Sequence, residues 1–186
     1  MRTVELLPDA ATELHVRQMW RGIAAAGLPS LAEHRHPTNR PHVTLATCEE
    51  LHPPARAELA AILDDGLPAP FRLDGLLRFA GRTRVLAWRV VADAELVELH
   101  RRVWEVLAAT EAGRLNPLHA PGRWVPHLTL ARSRRTSARW PEPLLPAALC
   151  EPREAAFTGA RSYDSTTRTV EDLGGAARPP VDRDGR

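Results

Sequence analysis

Hydrophobic and polar positions along the chain switch between a period near two and a period near 3.6, and the switches outline its elements. Thr3-Val4-Glu5-Leu6-Leu7 reads as a short strand, and Asp9 stands where an N-cap belongs. Behind it Val16, Met19, Trp20 and Ile23 recur at helical spacing until Gly27 and Pro29 end the pattern. A polar loop with prolines, His34 to Pro41, delivers the chain into His42-Val43-Thr44-Leu45-Ala46, whose β-branched and apolar residues predict a strand. Pro53-Pro54 open a second helix through Leu59, Ile62 and Leu63. Phe71 to Phe79 and Val85 to Val91 then predict a hairpin turning near Gly81.

The order recurs. Asp93 caps a helix whose apolar stripe is Leu96, Leu99, Val103, Val106 and Leu107, and a loop rich in Gly and Pro leads into a strand over Trp124 to Ala131. The Pro-rich stretch Ser137 to Leu149 is expected to be helical, and Ala155 to Asp164 with Thr166 to Leu173 form a last hairpin. From Gly174 onward the composition is that of a disordered tail. The register barely drifts over the repeat: 85 residues separate His42 from His127, and 86 separate Phe71 from Phe157. Two similar halves, roughly 1–91 and 92–173, predict one bilobal α+β domain over 1–173 with a pseudo-twofold axis. Hairpin signals favour antiparallel sheets.

Each half contains the same hexad with one difference, Pro41-His42-Val43-Thr44-Leu45-Ala46 against Pro126-His127-Leu128-Thr129-Leu130-Ala131. On a strand, residues two apart share a face, so each His and its Thr point toward one surface while the apolar residues between them point toward a core. Two imidazoles suit in-line cleavage of a phosphodiester. One takes the proton of the nucleophile, the other protonates the leaving oxygen, and both titrate near pH ~6.5. The hydroxyls of Thr44 and Thr129 can donate to the non-bridging phosphoryl oxygens.

Composition changes this picture little. Net charge is only +2, too small to argue for a nucleic-acid coat or a membrane binder. Every one of the 25 basic residues is Arg, which suits phosphate oxygens but also follows from the abundance of Ala, Pro and Gly that a G+C-rich genome produces. No apolar run reaches the roughly 20 residues a membrane helix needs, and no leader is recognisable, so a cytoplasmic protein without membrane contact is expected. Cys48 and Cys150 lie far apart without metal-ligand spacing. Reduced thiols, no metal, no cofactor and a monomeric state are the expectations.

The paired hexads resemble the 2H phosphoesterases, a superfamily that includes the 2'-5' RNA ligase group and RNA 2',3'-cyclic phosphodiesterases. Its signature is two His-x-Thr-hydrophobic motifs, here His42-Val43-Thr44-Leu45 and His127-Leu128-Thr129-Leu130, and the resemblance covers about residues 1–173. It implies two antiparallel sheets flanking a central cleft, with helices outside and one motif from each sheet. It also implies metal-independent cleavage of a 2',3'-cyclic phosphate on an RNA end or a nucleotide, with 2'-5' ligation as an accompanying activity. Arg132, five residues after His127, occupies the place of an Arg that contacts phosphate or base in the RNA-acting group. Strand parity would turn Arg132 away from His127, so this role requires a bulge or the strand's end. ADP-ribose cyclic phosphate and 2'-5' oligonucleotides are alternative substrates, and a non-catalytic nucleotide- or RNA-binding module is the alternative of another class.

A lone His on a strand is more often structural than catalytic, and only the paired context reverses this for His42 and His127. His119, in a loop, is able to reach the cleft. Trp20 and Trp104 fit helical core positions, whereas Trp88 and Trp124 are candidates to border the cleft and stack a base. Tyr163 is a further cleft candidate from the last hairpin. Arg132, Arg134, Arg135 and Arg139 either follow a polynucleotide backbone or form a solvated face.

Overall fold

The computed structural model describes residues 1–34, 36–110 and 113–175. The elements run β1 (Arg2–Pro8), α1 (Ala10–Ala25), β2 (Val43–Cys48), α2 (Pro53–Gly66), β3 (Ala69–Phe79), β4 (Arg84–Val91), α3 (Ala94–Ala109), β5 (His127–Ser133), β6 (Arg153–Asp164) and β7 (Thr169–Gly175). The two predicted aspartate caps are present. Asp9 accepts from the Thr12 amide and Asp93 from the Leu96 amide, each satisfying a donor that the first helical turn leaves free.

The fold is α+β, and every strand pairing is antiparallel. Strand order is β2-β1-β6-β3-β4-β5, with β7 also on β6. The two sheets anticipated from the sequence are continuous: Ala69–Leu73 of β3 pairs with Arg153–Phe157 of β6 and joins them. The order is symmetric about that junction. β1-α1-β2 in one lobe matches β4-α3-β5 in the other, and the strands that follow are exchanged, so that β3 lies beside β4 and β6 beside β1. In the sheet β4 therefore holds the place that β1 holds in the other lobe, although a division of the sequence at 91/92 puts β4 in the first half. Phe71 and Phe157, related by the sequence repeat, stack at the junction with ring centroids 4.0 Å apart.

Two expectations need correction. Ser137 to Leu149 is not an α-helix; it forms 3-10 turns at Glu142–Leu144 and Ala147–Cys150. Pro141, Pro143 and Pro146 each lack an amide donor and clash with a preceding turn, so only short tight turns survive, anchored by the fully buried Leu149. The chain from Gly174 is the other case. Gly174 and Gly175 belong to β7, and the Gly175 amide donates to Asp64 Oδ1 at 2.8 Å. Gly175 has φ +93°, and a Cβ there would stand 2.5 Å from the Thr158 carbonyl oxygen, which is why glycine occupies the position. Residues 176–186, the rest of the expected tail, lie outside the described residues.

Alternation sorts the strands into a core face and a cleft face. Val4 and Leu6 of β1, Val43 and Leu45 of β2, Leu86 of β4, and Leu128 and Leu130 of β5 are buried in the core. Residues between them, such as Glu5, Thr44 and Thr129, face a shared cavity. No helix among the described residues is long and apolar enough to cross a membrane.

Candidate active site

Both motifs open into one cavity of about 660 Å³, which His42, Thr44, His127 and Thr129 all line. The strands that carry them, β2 and β5, stand at the two ends of the sheet order. Both imidazoles are held in the same way. His42 Nδ1 lies 2.7 Å from the Arg40 carbonyl oxygen and His127 Nδ1 lies 2.7 Å from that of Val125, two residues upstream in each case. A carbonyl only accepts, so each Nδ1 carries its proton and donates, which leaves Nε2 as the nitrogen able to accept or give up a proton.

The parity problem of Arg132 is resolved by a bulge. In the β4–β5 ladder Leu86 faces Ala131 and Ala87 faces Thr129, so Leu130 is an extra residue. Beyond it the faces invert, and Arg132 lines the same cavity as His127. The first motif has the same irregularity. Val4 faces Ala46 and Glu5 faces Thr44, which leaves Leu45 extra and turns Thr47 to the side that Arg132 takes in the other lobe.

Outer edges of the motif strands are capped by indoles. Trp20 Nε1 donates to the Thr129 carbonyl at 3.0 Å, and Trp124 Nε1 donates to the Thr44 carbonyl at 2.8 Å. Each motif is therefore pinned by a Trp from the other half of the sequence. This corrects the reading of Trp124 as a base-stacking residue: it is absent from the cavity lining, and one face of its ring already stacks on His100 at 4.1 Å. His100 in turn hydrogen-bonds to the backbone of His119 and Leu45. Trp88 is likewise not at the cleft, being fully buried in the core. Tyr163 does line the cavity, half-buried, as anticipated.

Glu5, also at the cavity, carries no motif in the sequence. Glu5 is buried beneath His42, its Oε1 3.6 Å from His42 Nε2, while its Oε2 accepts from Arg161 Nε at 2.7 Å and its Oε1 from Thr3 Oγ1 at 2.6 Å. Burial pushes the Glu5 carboxyl up, but the charges of His42 and Arg161 together with these hydrogen bonds outweigh it and hold the carboxyl below its ordinary value. Among the described residues His127 forms no ion pair with a carboxylate. Its ring packs at 4.8 Å from that of Phe79, and burial and the charge on His42 push its proton affinity down despite the Val125 carbonyl. His119 also lines the cavity, its Nδ1 3.2 Å from Thr47 Oγ1. Burial, with the charges of His127 and His100, lowers its pKa to about 4, so it is a neutral hydrogen-bonding group at ordinary pH.

The two motifs, the shared cavity and the strand exchange can be compared with known proteins. The profile described as the 2'-5' RNA ligase superfamily matches residues 8–163. The chain belongs to this superfamily, and so to the 2H phosphoesterases. Solved structures of similar fold include the crystal structure of a phosphoesterase, 17% identical over 92% of both chains with a TM-score of 0.55. They also include E. coli LigT complexed with NADP+, 17% identical over 92% of this chain and 91% of LigT, TM-score 0.56. LigT complexed with 3'-AMP is 15% identical over 92% of both chains, TM-score 0.53. At these identities the likeness is one of fold. No curated protein sequence matches the chain. Among the described residues, no group of three or more His, Cys, Asp or Glu side chains is arranged to hold a metal ion. His42, His127, Thr44, Thr129 and Arg132 thus line one cavity.

Proposed function

We propose that the protein is a phosphodiesterase that opens 2',3'-cyclic phosphate ends of RNA or nucleotides, with His42 as general acid and His127 as general base. The carrying observation is that both imidazoles line the same cavity, each with Nδ1 committed to a carbonyl, which leaves Nε2 for the chemistry. His127 Nε2 takes a proton from water as its oxygen attacks phosphorus, and the proton on His42 Nε2 goes to the departing ribose oxygen, giving a phosphomonoester and a free hydroxyl. Thr44 and Thr129 donate to the non-bridging oxygens, and Arg132 offsets their charge. The asymmetry around the pair supports this division. A cation on His42 has the Glu5 carboxylate 3.6 Å away, whereas His127 lies in buried surroundings that favour the neutral ring a base requires. The complex of E. coli LigT with 3'-AMP supports a nucleotide ligand for the cavity. Every group in this scheme comes from one chain, so a monomer suffices.

A panel of nucleoside 2',3'-cyclic monophosphates, ADP-ribose cyclic phosphate and 2'-5' dinucleotides, with products resolved by chromatography, tests the reading. Hydrolysis of the cyclic monophosphates is expected, and absence of turnover across the panel would overturn it. Turnover should survive EDTA, because the scheme uses only His, Thr and Arg. Loss on chelation with recovery on adding magnesium or manganese would replace it with a metal mechanism.

The pH dependence follows from the opposite protonation states the two rings need. kcat/KM should be bell-shaped, with limbs that belong to the coupled pair. Because burial and the charge on His42 lower the proton affinity of His127, the base stays neutral below its ordinary value of 6.5, and the acid limb should fall below that pH. A profile that rises without a maximum from pH 5 to about 9 would indicate attack by free hydroxide instead.

A further inference from the structure

His42 and His127 are each fixed through a backbone carbonyl, but the two carbonyls are held by different means. Arg40, whose carbonyl accepts from His42 Nδ1, is tied by its side chain to α1: Glu13 Oε2 accepts from Arg40 Nε at 3.2 Å and from Nη2 at 2.6 Å. Oε1 of the same carboxylate accepts from Arg17 Nε at 3.1 Å and from Nη2 at 3.0 Å, and Arg17 Nη2 also donates to the Asn39 carbonyl at 3.0 Å. Glu13, Arg17 and Arg40 are all absent from the lining of the histidine cavity; they line a separate groove of about 640 Å³.

This clamp leaves the Arg40 carbonyl little freedom. The preceding peptide is tied through the Asn39 carbonyl, the Arg40 side chain by two hydrogen bonds, and Pro41 restricts the ψ of the residue it follows. Asn39 Nδ2 adds bonds to the carbonyls of Leu31 and His34, at 3.0 and 2.9 Å. Burial pushes the Glu13 carboxyl up, but the hydrogen bonds and charges of Arg40 and Arg17 outweigh it and hold the carboxyl below its ordinary value of 4.5, so the clamp is charged at neutral pH.

The other lobe has no counterpart of this carboxylate. Glu13 is the fourth residue after the cap Asp9, and the fourth after the cap Asp93 is Val97; Val125 stands before His127 as Arg40 stands before His42. Both valines are exposed. There the Trp124 amide donates to the Ala120 carbonyl at 3.0 Å and its indole to the Thr44 carbonyl at 2.8 Å. A change at Glu13 therefore loosens one histidine and spares the other.

We propose that Glu13 is a positioning residue for His42: by clamping Arg17 and Arg40 it fixes the Arg40 carbonyl, and through that carbonyl the Nδ1–H tautomer and the orientation of the ring. Which reaction suffers rests on the reading of His42 as the general acid; the clamp itself does not. Its test uses Glu13→Gln and Arg40→Gln, once their melting curves show that both are folded. On cytidine 2',3'-cyclic monophosphate each should lose about 10–100-fold, as when an outer partner of a metal-bound imidazole is removed, with the loss in kcat rather than KM because the clamp lies outside the cavity. On a nitrophenyl phosphodiester the loss should be less than about threefold, since that leaving group needs little protonation. Both variants should thus follow the substrate ranking of His42→Ala, whichever it is. The tautomer is read without substrate, from the nitrogen chemical shifts of the rings at pH ~8, above the ordinary imidazole range. In wild type both rings should be protonated at Nδ1; in the variants His42 should gain Nε2-protonated form while His127 stays as it was. His42 shifts unchanged in both variants, or a substrate ranking unlike that of His42→Ala, overturns the proposal. If the wild type turns over none of the phosphodiesters, the shifts decide alone: movement confined to His42 keeps the clamp and removes the assigned reaction.

Discussion

His127→Ala is expected to lower turnover by about 10²–10⁴-fold on a cyclic ribose phosphate and on a nitrophenyl phosphodiester alike, whereas His42→Ala should suffer that loss on the cyclic substrate only. The difference lies in the leaving group. A ribose alkoxide is too basic to depart unprotonated, so the acid is essential; a nitrophenolate departs with little help, so loss of the acid costs much less. Water must be activated in both reactions, which makes the base indispensable throughout. The geometry makes the ranking specific. Each ring has Nδ1 committed to a carbonyl two residues upstream, so alanine removes one Nε2 and leaves the cavity otherwise intact. Measured kcat/KM for the two variants on the two substrates decides it. The opposite ranking would exchange the roles, and near-wild-type turnover of the cyclic substrate by either variant would remove that histidine from the chemistry.

What could be read from the sequence and what could not follow from how far each signal reaches along the chain. The paired hexads were legible because strand parity is local: it places His with Thr on one face whatever the partner strand is. The helices were legible from their caps and stripes, at Asp9 and Asp93 above all. The need for a bulge before Arg132 was also legible, but its position was not, since Leu130 becomes an extra residue only through its pairing with β4. Trp124 misled for a related reason. An aromatic beside a catalytic motif suits base stacking, but the free carbonyl of Thr44 at the edge of β2 claims its N–H, and that edge is 80 residues away. Ser137 to Leu149 departs from the helical expectation because Pro141, Pro143 and Pro146 withhold amide donors and leave only 3-10 turns. The exchange of β3 and β6 between lobes, which brings Phe71 onto Phe157, is a property of the sheet order and leaves no local trace.

Glu5 is the furthest case. In the sequence it is one polar position of a short alternating strand, and its partner Arg161 is 156 residues away. Both side chains are almost wholly buried, at 3% and 6% exposure, so each charge depends on the other. Arg161→Ala should therefore destabilise the protein by about 3–5 kcal/mol at neutral pH, the cost of leaving an uncompensated buried charge. Its pH dependence identifies the cause. In the wild type the Glu5 carboxyl lies below its ordinary value of 4.5, so the stability it contributes is present above that pH and is lost as pH falls through the lower folded value. Without Arg161, burial pushes the carboxyl up with less to oppose it, and the orphaned group takes a proton at a higher pH than before. The deficit of the variant relative to wild type should then be largest near pH 7 and narrow toward pH ~4.5, as urea denaturation at both values would show. Glu5→Leu/Arg161→Leu, which removes both charges, should recover much of the loss at pH 7 while still lacking the carboxylate that faces His42. A deficit of Arg161→Ala that does not change between the two pH values would mean that lost packing of the arginine stem, not the buried carboxylate, is what the substitution exposes.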